Sequence, residues 1–276
     1  YITCDDQLMR TQSNGIVEGM RLVLRLFPNA RGVIAIEDNK PEAIEAMTHA
    51  CEGDANLSVL PVMAKYPEGG ERSLIGVVTG RQLRFGQLPA DLGCVVCNVS
   101  TLNAIYRAVC KTEPLMGRLF TVSGDAVANP HTLFVRIGTS CSELLEAAGG
   151  IKPGSEARKI LCGGPMMGIA MSTLDAPIAK NNNALTVLAS DEVELAEQQM
   201  TACLRCGRCG HVCPIGLVPQ MMAEAAERQD YERYEKKLYG LDCIACGSCT
   251  YICPAKRPLM QLFKQTKAVI MAAKRK

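Results

Sequence analysis

Apolar residues recur at helical spacing from the start of the chain. Leu8, Ile16, Met20, Val23, Leu24 and Phe27 predict one helix over residues 7–27, ended by Pro28. Gly32 to Ile36 (G-V-I-A-I) then forms an unbroken apolar run of strand length, suited to a strand buried on both faces. A polar stretch follows, then a helix over 42–50 with Asn39 as a plausible N-cap and Pro41 in the first turn. Leu57 to Met63 and Leu92 to Cys97 read as two more strands, and residues 100–109 as a helix. This alternation predicts an α/β domain over 1–113, with a parallel or mixed sheet.

The pattern changes near Pro114. Arg118 to Ser123 and Thr132 to Ile137 read as a hairpin around the turn Gly124 to Pro130. Ser140 to Glu143 is a capping box for a short helix that stops at Gly149-Gly150. Arg158 to Cys162 is a further strand, closed by Gly163-Gly164-Pro165. Residues 114–189 are thus expected to form a small α+β module, with a β-grasp as one candidate.

From Ser190 the periodicity is helical. Asp191 to Met200 and the amphipathic link Val218 to Leu238 predict helices, the latter with Met221, Met222, Ala225, Tyr234, Leu238 and Leu241 near one face. The tail from Lys256 to Lys276 carries seven basic residues and no acid. It reads as a basic helix, either solvated or docking on an acidic partner or lipid headgroups.

These helices flank the main chemical signal. Cys203, Cys206, Cys209 and Cys213 stand in C-x2-C-x2-C-x3-C-P spacing, repeated by Cys243, Cys246, Cys249 and Cys253. This is the bacterial ferredoxin spacing. Three cysteines at steps of three let one tight loop wrap a [4Fe–4S] cluster, while the fourth lies too far along to close the same cluster. One cluster is therefore expected on Cys203, Cys206, Cys209 and Cys253, the other on Cys243, Cys246, Cys249 and Cys213. Gly207 and Gly247 admit the backbone close to the inorganic core, and Pro214 and Pro254 turn the chain away. Zinc also takes four thiolates, usually from two separated C-x2-C knuckles, and disulfide frameworks belong to small secreted scaffolds.

Composition narrows the setting. Fifteen cysteines without a signal peptide point to a reducing compartment. The net charge of +2 argues against a nucleic-acid platform. No apolar run approaches the roughly 18 residues of a membrane helix, so the expectation is a protein that is soluble by itself. The chain opens at Tyr1 on a polar run and reads as a fragment with further sequence upstream.

Two clusters need an electron source, and a flavin converts between hydride and single-electron chemistry. Two stretches could hold one. Lys65 to Ser73 (K-Y-P-E-G-G-E-R-S) is a Gly-rich loop after a strand, and the alternative is a plain loop. Cys97 to Thr101 (C-N-V-S-T) precedes a helix, where free amides and hydroxyls suit an anion; the alternative is an ordinary N-cap. A G-x-G-x-x-G fingerprint is absent from these residues.

Lys65 to Ile75, Cys97 to Thr101, Val122 to Asp125, Ile160 to Gly168 and the paired cysteine runs, in this order, resemble the C-subunit family of Rnf electron-transport complexes. That family is related to the NADH-binding flavoprotein subunit of complex I. The resemblance implies a multidomain α/β plus α+β architecture: a truncated FMN/NADH-binding α/β domain (1–113), a β-grasp soluble-ligand-binding domain (114–189) and a helical ferredoxin domain with two [4Fe–4S] clusters (190–276). It implies FMN as a cofactor and NADH as substrate. It also implies membrane-bound complex subunits as partners, ferredoxin as an indirect one, and a peripheral place on the cytoplasmic face of the cell membrane. Gly69, Gly70 and Glu71 match the family's segment near flavin and nicotinamide. Asn98, Ser100 and Thr101 match its segment near the flavin phosphate, and Thr3 to Asp6 resemble an acidic segment of the same pocket. The family's main Gly-rich flavin loop lies upstream of the position of Tyr1. No catalytic residue is assigned. Two other readings stand beside this one: a cobalamin-reductase-type iron–sulfur flavoprotein of bacterial microcompartments, and a two-cluster docking protein without its own flavin.

The remaining cysteines read as structural. Cys94 and Cys97, with Val95 and Val96 between them, are expected to be buried in a strand, and Cys4, Cys51, Cys110, Cys141 and Cys162 to be core or half-buried thiols. His211 reads as a surface residue. Arg205, Arg208, Lys256 and Arg257 lie near the cluster loops, where positive charge favours a reduced cluster.

Overall fold

A computed structural model describes residues 1–275. It divides into two compact units, one of Tyr1–Gln82 with Pro89–Ser190, the other of Leu83–Leu88 with the chain from Asp191 onward.

In the first unit, helices α1 (Cys4–Thr11) and α2 (Ser13–Leu24) precede strand β1 (Gly32–Glu37), α3 (Pro41–Cys51) and β2 (Leu57–Val62). Helix α4 (Glu71–Thr79), a 3-10 turn at Pro89–Leu92 and α5 (Val99–Lys111) follow. The two strands pair in parallel, Gly32 against Leu57 through Glu37 against Val62. Ile16, Val17, Ile34, Ile36, Met47 and Leu102 fill the core beneath them.

The single helix expected over 7–27 is two helices. The chain breaks at Gln12, whose Oε1 accepts a hydrogen bond from Asn103 Nδ2 at 2.8 Å. The second ends at Leu24, short of Pro28. Lys40 rather than Asn39 sits at the N-cap of α3, where Pro41 opens the helix and no side chain caps it. Residues 92–97 are not a strand. Gly93 turns through φ 68° and Val95 is 63% exposed, so the apolar run has no partner strand and packs as a loop. Helices α2 and α5 cross through Gly19, where a Cβ would come within 1.9 Å of the Leu102 carbonyl oxygen.

The same unit holds a five-stranded sheet. Strands β3 (Gly117–Ser123) and β4 (His131–Arg136) form the expected antiparallel hairpin, and α6 (Cys141–Ala147) carries the capping box. Then come β5 (Lys159–Cys162), the two-residue β6 (Ile169–Ala170) and β7 (Ala184–Leu188). The order is β4-β3-β7-β5-β6, with β7 parallel to β3 and antiparallel to β5. Strand β7 is central, although the sequence reading does not include it. Its residues Leu185 and Val187 pack with Phe120, Val122 and Leu144. The amides of Thr3 and Cys4 donate to Thr121 Oγ1 at 3.1 and 3.0 Å, fixing the start of α1 on β3.

The second unit is helical: α7 (Glu192–Gln198), α8 (Arg208–His211), α9 (Pro219–Glu227), a π-helical turn at Arg233–Lys237, a 3-10 turn at Gly240–Asp242, α10 (Ser248–Tyr251) and α11 (Leu259–Lys274). The link expected as one helix from Val218 to Leu238 breaks after Glu227, where Gln229 takes φ 57°. The basic tail is a helix solvated on one face, where Lys264 and Lys274 are exposed, and packed on the other. Leu259, Phe263, Thr266 and Ile270 of α11 are buried, and they pack on Met222, Ala225 and Tyr234. Lys276 of that tail lies outside the described residues. Among the described residues no helix is long and apolar enough to cross a membrane. Leu83–Leu88 joins this unit: the Phe85 amide donates to Asp242 Oδ1 at 2.5 Å, and Lys267 Nζ lies 4.7 Å from the centre of the Phe85 ring.

Candidate cluster sites and flavin-type segments

The two cysteine runs fold alike. Arg205 and Ala245 take φ 51° and 54°, Gly207 and Gly247 φ 75° and 84°, and Gly216 and Lys256 φ 71° and 54°. The left-handed turn at each central glycine opens a short helix, α8 or α10, that carries the third cysteine of its run. Glycine reaches this region without a Cβ penalty; Arg205, Ala245 and Lys256 hold it against that penalty.

Each run gives its fourth cysteine to the other. Cys203, Cys206 and Cys209 line one cavity together with Cys253. Cys243, Cys246 and Cys249 line a second together with Cys213. Among the described residues no group of Cys, His, Asp and Glu is tight enough for a single metal ion; each set surrounds a cavity.

The donor chemistry of the second cavity bears on whether a cluster fits. Burial raises the Cys249 thiol to about 12, and the neighbouring Cys243, Cys246 and Cys213 add to the rise. Cys243 is also pushed up, first by burial and then by Cys213 and Cys246, while the Ala245 amide and Lys267 partly oppose the shift. Cys243 and Cys249, pushed up by burial among converging sulfurs, are poor thiolates until a cation compensates them. Iron supplies that compensation, so the donor set fits. Amides already point at sulfur: Leu217 N donates to Cys213 Sγ and Ala245 N to Cys243 Sγ, both at 3.4 Å. In the first cavity, burial raises Cys209, whose thiol donates to Gln220 Oε1 at 3.7 Å. Gln220, Asp242 and Lys267 carry no signal in the sequence that marks them for this site. Phe85 and Asp242 are 157 positions apart, and no local pattern joins them.

The flavin-type segments are partly brought together. Asn98 caps α5, accepting from Ser100 N at 2.8 Å and Ser100 Oγ at 2.6 Å. Its Nδ2 donates to Asp5 Oδ2 at 2.7 Å, which joins the segment of residues 98–101 to the acidic start of the chain. The Thr101 amide donates to the Asn98 carbonyl. Gly70 is the N-cap of α4, which Glu71 opens with its side chain exposed, and Gly69 lies in the turn before it. An apolar cavity lies between α2, β1, α4 and the loop before α5, with Met20, Phe27, Ile75, Val96 and Leu102 in its wall. None of Gly69, Gly70, Glu71, Asn98, Ser100 or Thr101 lines it, although Leu74 and Val99 do.

Of the other cysteines, Cys4, Cys51 and Cys141 are buried and Cys162 half-buried. Cys97 and Cys110 are exposed, against expectation: Cys97 sits in the unpaired loop before α5, and Cys110 on the outer face of α5. Cys94 is half-buried in that loop. His211 is exposed.

Family models divide the chain into three. Residues 1–107 match the "Nuo51 FMN-binding domain", 119–170 the SLBB domain, and 202–258 the "4Fe-4S dicluster domain". The fold resembles the NAD+-reducing [NiFe]-hydrogenase in its air-oxidised state. The TM-score is 0.61 at 19% identity, covering 96% of this chain and 53% of that one. Fold and site together define a redox polypeptide that joins an FMN-binding-type domain to a dicluster domain through an SLBB domain.

More particularly, the chain is similar along its whole length to the C subunits of ion-translocating oxidoreductase complexes. It is 42% identical over 273 residues to the C subunit of the proton-translocating ferredoxin:NAD(+) oxidoreductase complex of Clostridium ljungdahlii, covering 99% of this chain and 59% of that protein. It is 40% identical over 276 residues to the Na(+)-translocating counterpart of Acetobacterium woodii, covering 100% and 61%. It is 43% identical over 278 residues to the C subunit of the ion-translocating oxidoreductase complex of Haemophilus influenzae, covering 100% and 42%. The chain thus spans between 42% and 61% of the length of these three relatives.

Proposed function

We propose that this chain is the electron-transfer part of a subunit of a membrane-associated, ion-translocating NADH:ferredoxin oxidoreductase. The observation that carries this reading is the sorting of eight cysteines into two four-cysteine cavities, each completed by the other run. Cys203, Cys206, Cys209 and Cys253 hold one [4Fe–4S] cluster, and Cys243, Cys246, Cys249 and Cys213 the second. When bound, the clusters supply one-electron transfer and FMN supplies the exchange between hydride and single electrons. The protein's own part is to fix two sets of thiolates, wall the second from water and aim amides at its sulfurs.

The finer architecture follows the same reading: a partial FMN/NADH-binding α/β domain over 1–113, a β-grasp over 114–189 and a helical ferredoxin domain over 190–276. The strand order β4-β3-β7-β5-β6 supports the β-grasp, with a parallel pair at the centre and a hairpin on one side. Gly69, Gly70, Glu71, Asn98, Ser100 and Thr101 are assigned to the flavin and nicotinamide side. The partners are the other subunits of such a complex, with NADH as substrate and ferredoxin indirectly, at the cytoplasmic face of the membrane. The relatives' names, subunits of ion-translocating ferredoxin:NAD(+) oxidoreductase complexes, support the complex and its substrates.

The test is NADH titration of the anaerobically reconstituted full-length protein, followed by EPR. Reduction of both clusters is expected. Clusters that take electrons from dithionite but never from NADH would favour a docking protein without its own flavin.

A further inference from the structure

Tyr234 is the largest fully buried side chain among the described residues, at 0% exposure, and its hydroxyl has no hydrogen-bond partner. Buried hydroxyls are nearly always bonded, because an unmet one loses its bonds to water and gains none in return. The ring cannot easily swing away to find water. A Cβ on Gly240 would come within 2.1 Å of Tyr234 Cε1 and 2.4 Å of Cζ, so the hydroxyl end of the ring fits only over a glycine. Phe263 leans on it with ring centroids 6.2 Å apart, and Phe263 also lines the cavity of Cys213, Cys243, Cys246 and Cys249. Tyr234 stands on the π-helical turn, a rare backbone form that recurs at functional sites. A phenolic O–H is a hydrogen-bond donor, and Cys243 and Cys249 pack against the same core. A donor clamped in a core that Cys243 and Cys249 pack against, and lacking an acceptor, implies an acceptor that arrives with the cofactor.

Resting on the cluster assignment above, the geometry points to Tyr234 as a hydrogen-bond donor to a sulfur of the cluster held by Cys243, Cys246, Cys249 and Cys213, where it sets the reduction potential. The donated hydrogen bond stabilises the extra negative charge that reduction places on iron and sulfur, and so raises the midpoint of that cluster. Tyr234 acts through the sulfur and takes no electron or proton itself; it is a positioning residue. The cluster held by Cys203, Cys206, Cys209 and Cys253 lacks a counterpart at the equivalent place: the residue matching Tyr234 by the internal repeat is Glu194, on α7.

The experiment uses the full chain, reconstituted anaerobically with iron and sulfide, in three forms: unaltered, Tyr234→Phe, and with 3-fluorotyrosine at position 234. Iron content is measured first. Midpoints then follow from EPR-monitored redox titration, with the second cluster's signal identified as the one lost in Cys246→Ser. Tyr234→Phe keeps the ring and removes only the hydroxyl. It is expected to hold about eight irons and to lower the second cluster's reduced-to-oxidised ratio about tenfold at fixed potential, or ~59 mV for one electron. The first cluster should not move. The more acidic fluorinated phenol is expected to raise the second midpoint. Full iron with unmoved midpoints in both forms overturns the inference and leaves the cluster assignment standing. Iron that stops at about four in the unaltered chain removes both. If Tyr234→Phe sheds its cluster, the fluorinated chain decides: a raised midpoint supports the role, and no shift ends it.

Discussion

The two cysteine runs share one spacing and one set of backbone turns, yet they build different surroundings. Cys203 and Cys206 are exposed, and their cavity is rimmed by Arg205, Arg228, Arg257, Glu224 and Glu227. Cys246 is buried, and the cavity it shares with Cys213, Cys243 and Cys249 is walled by Met222, Met260 and Phe263. The cysteine motif fixes ligand geometry and leaves the dielectric to the residues packed around it. Two identical motifs in one fold can therefore set two different potentials, one tuned by mobile surface charge and the other by burial and aimed hydrogen bonds.

The largest effect should come from the ligands. Cys206→Ser and Cys246→Ser are each expected to lose about four of about eight irons, with a different EPR signal surviving in each. The loss of all iron in both variants would mean that the runs do not form separable sites. The walls should separate next. Met222→Ala empties a fully buried position beside the second cavity and should cost about 2–5 kcal/mol. Met221→Ala lies at the first cavity at 37% exposure and should stay within about 0.5 kcal/mol. Denaturant melts of the iron-loaded chain compare the two, and equal costs would deny the contrast in burial.

A smaller difference should appear with pH. A thiol raised to about 12, as Cys249 is by burial and its neighbours, is protonated at neutral pH and must release that proton to bind iron. Raising the pH therefore favours loading of the second site. Its pH dependence should be the steeper of the two, because Cys203 and Cys206 of the first set are exposed. Iron uptake followed at several pH values checks the slope. The smallest effect is expected from Arg208→Glu, which reverses a charge on α8 next to Cys209. The first midpoint should fall and the second stay put, and a first midpoint that holds would show that surface charge does not tune it.

How much of the molecule is legible in the sequence follows from where the information lies. The cysteine spacing is local, and it sorts the eight residues into the same four-and-four sets that line the two cavities. The capping box at Ser140 and Glu143 and the strand at Gly32 are equally local. The failures come where distant packing decides. Leu92 to Cys97 has the composition of a strand but no neighbour to pair with, so it lies as a loop beside an apolar cavity. Ala184–Leu188 is only five residues long, yet β3 and β5 on either side make it central. The helix expected from Val218 to Leu238 is periodic throughout, but Tyr234 must reach the core over Gly240, and the chain turns at Gln229 to bring it there. Nothing in the sequence ties Phe85 to Asp242 and Lys267.

The crossing of ligands between the runs is the claim from which the rest follows, and a four-variant comparison tests it most directly. Cys203→Ser, Cys253→Ser, Cys243→Ser and Cys213→Ser are reconstituted in the full chain, and the surviving EPR signal of each is recorded. Cys253→Ser is expected to leave the same signal as Cys203→Ser, and Cys213→Ser the same as Cys243→Ser. If Cys253→Ser instead matches Cys243→Ser, each run closes its own cluster and the crossed arrangement is wrong.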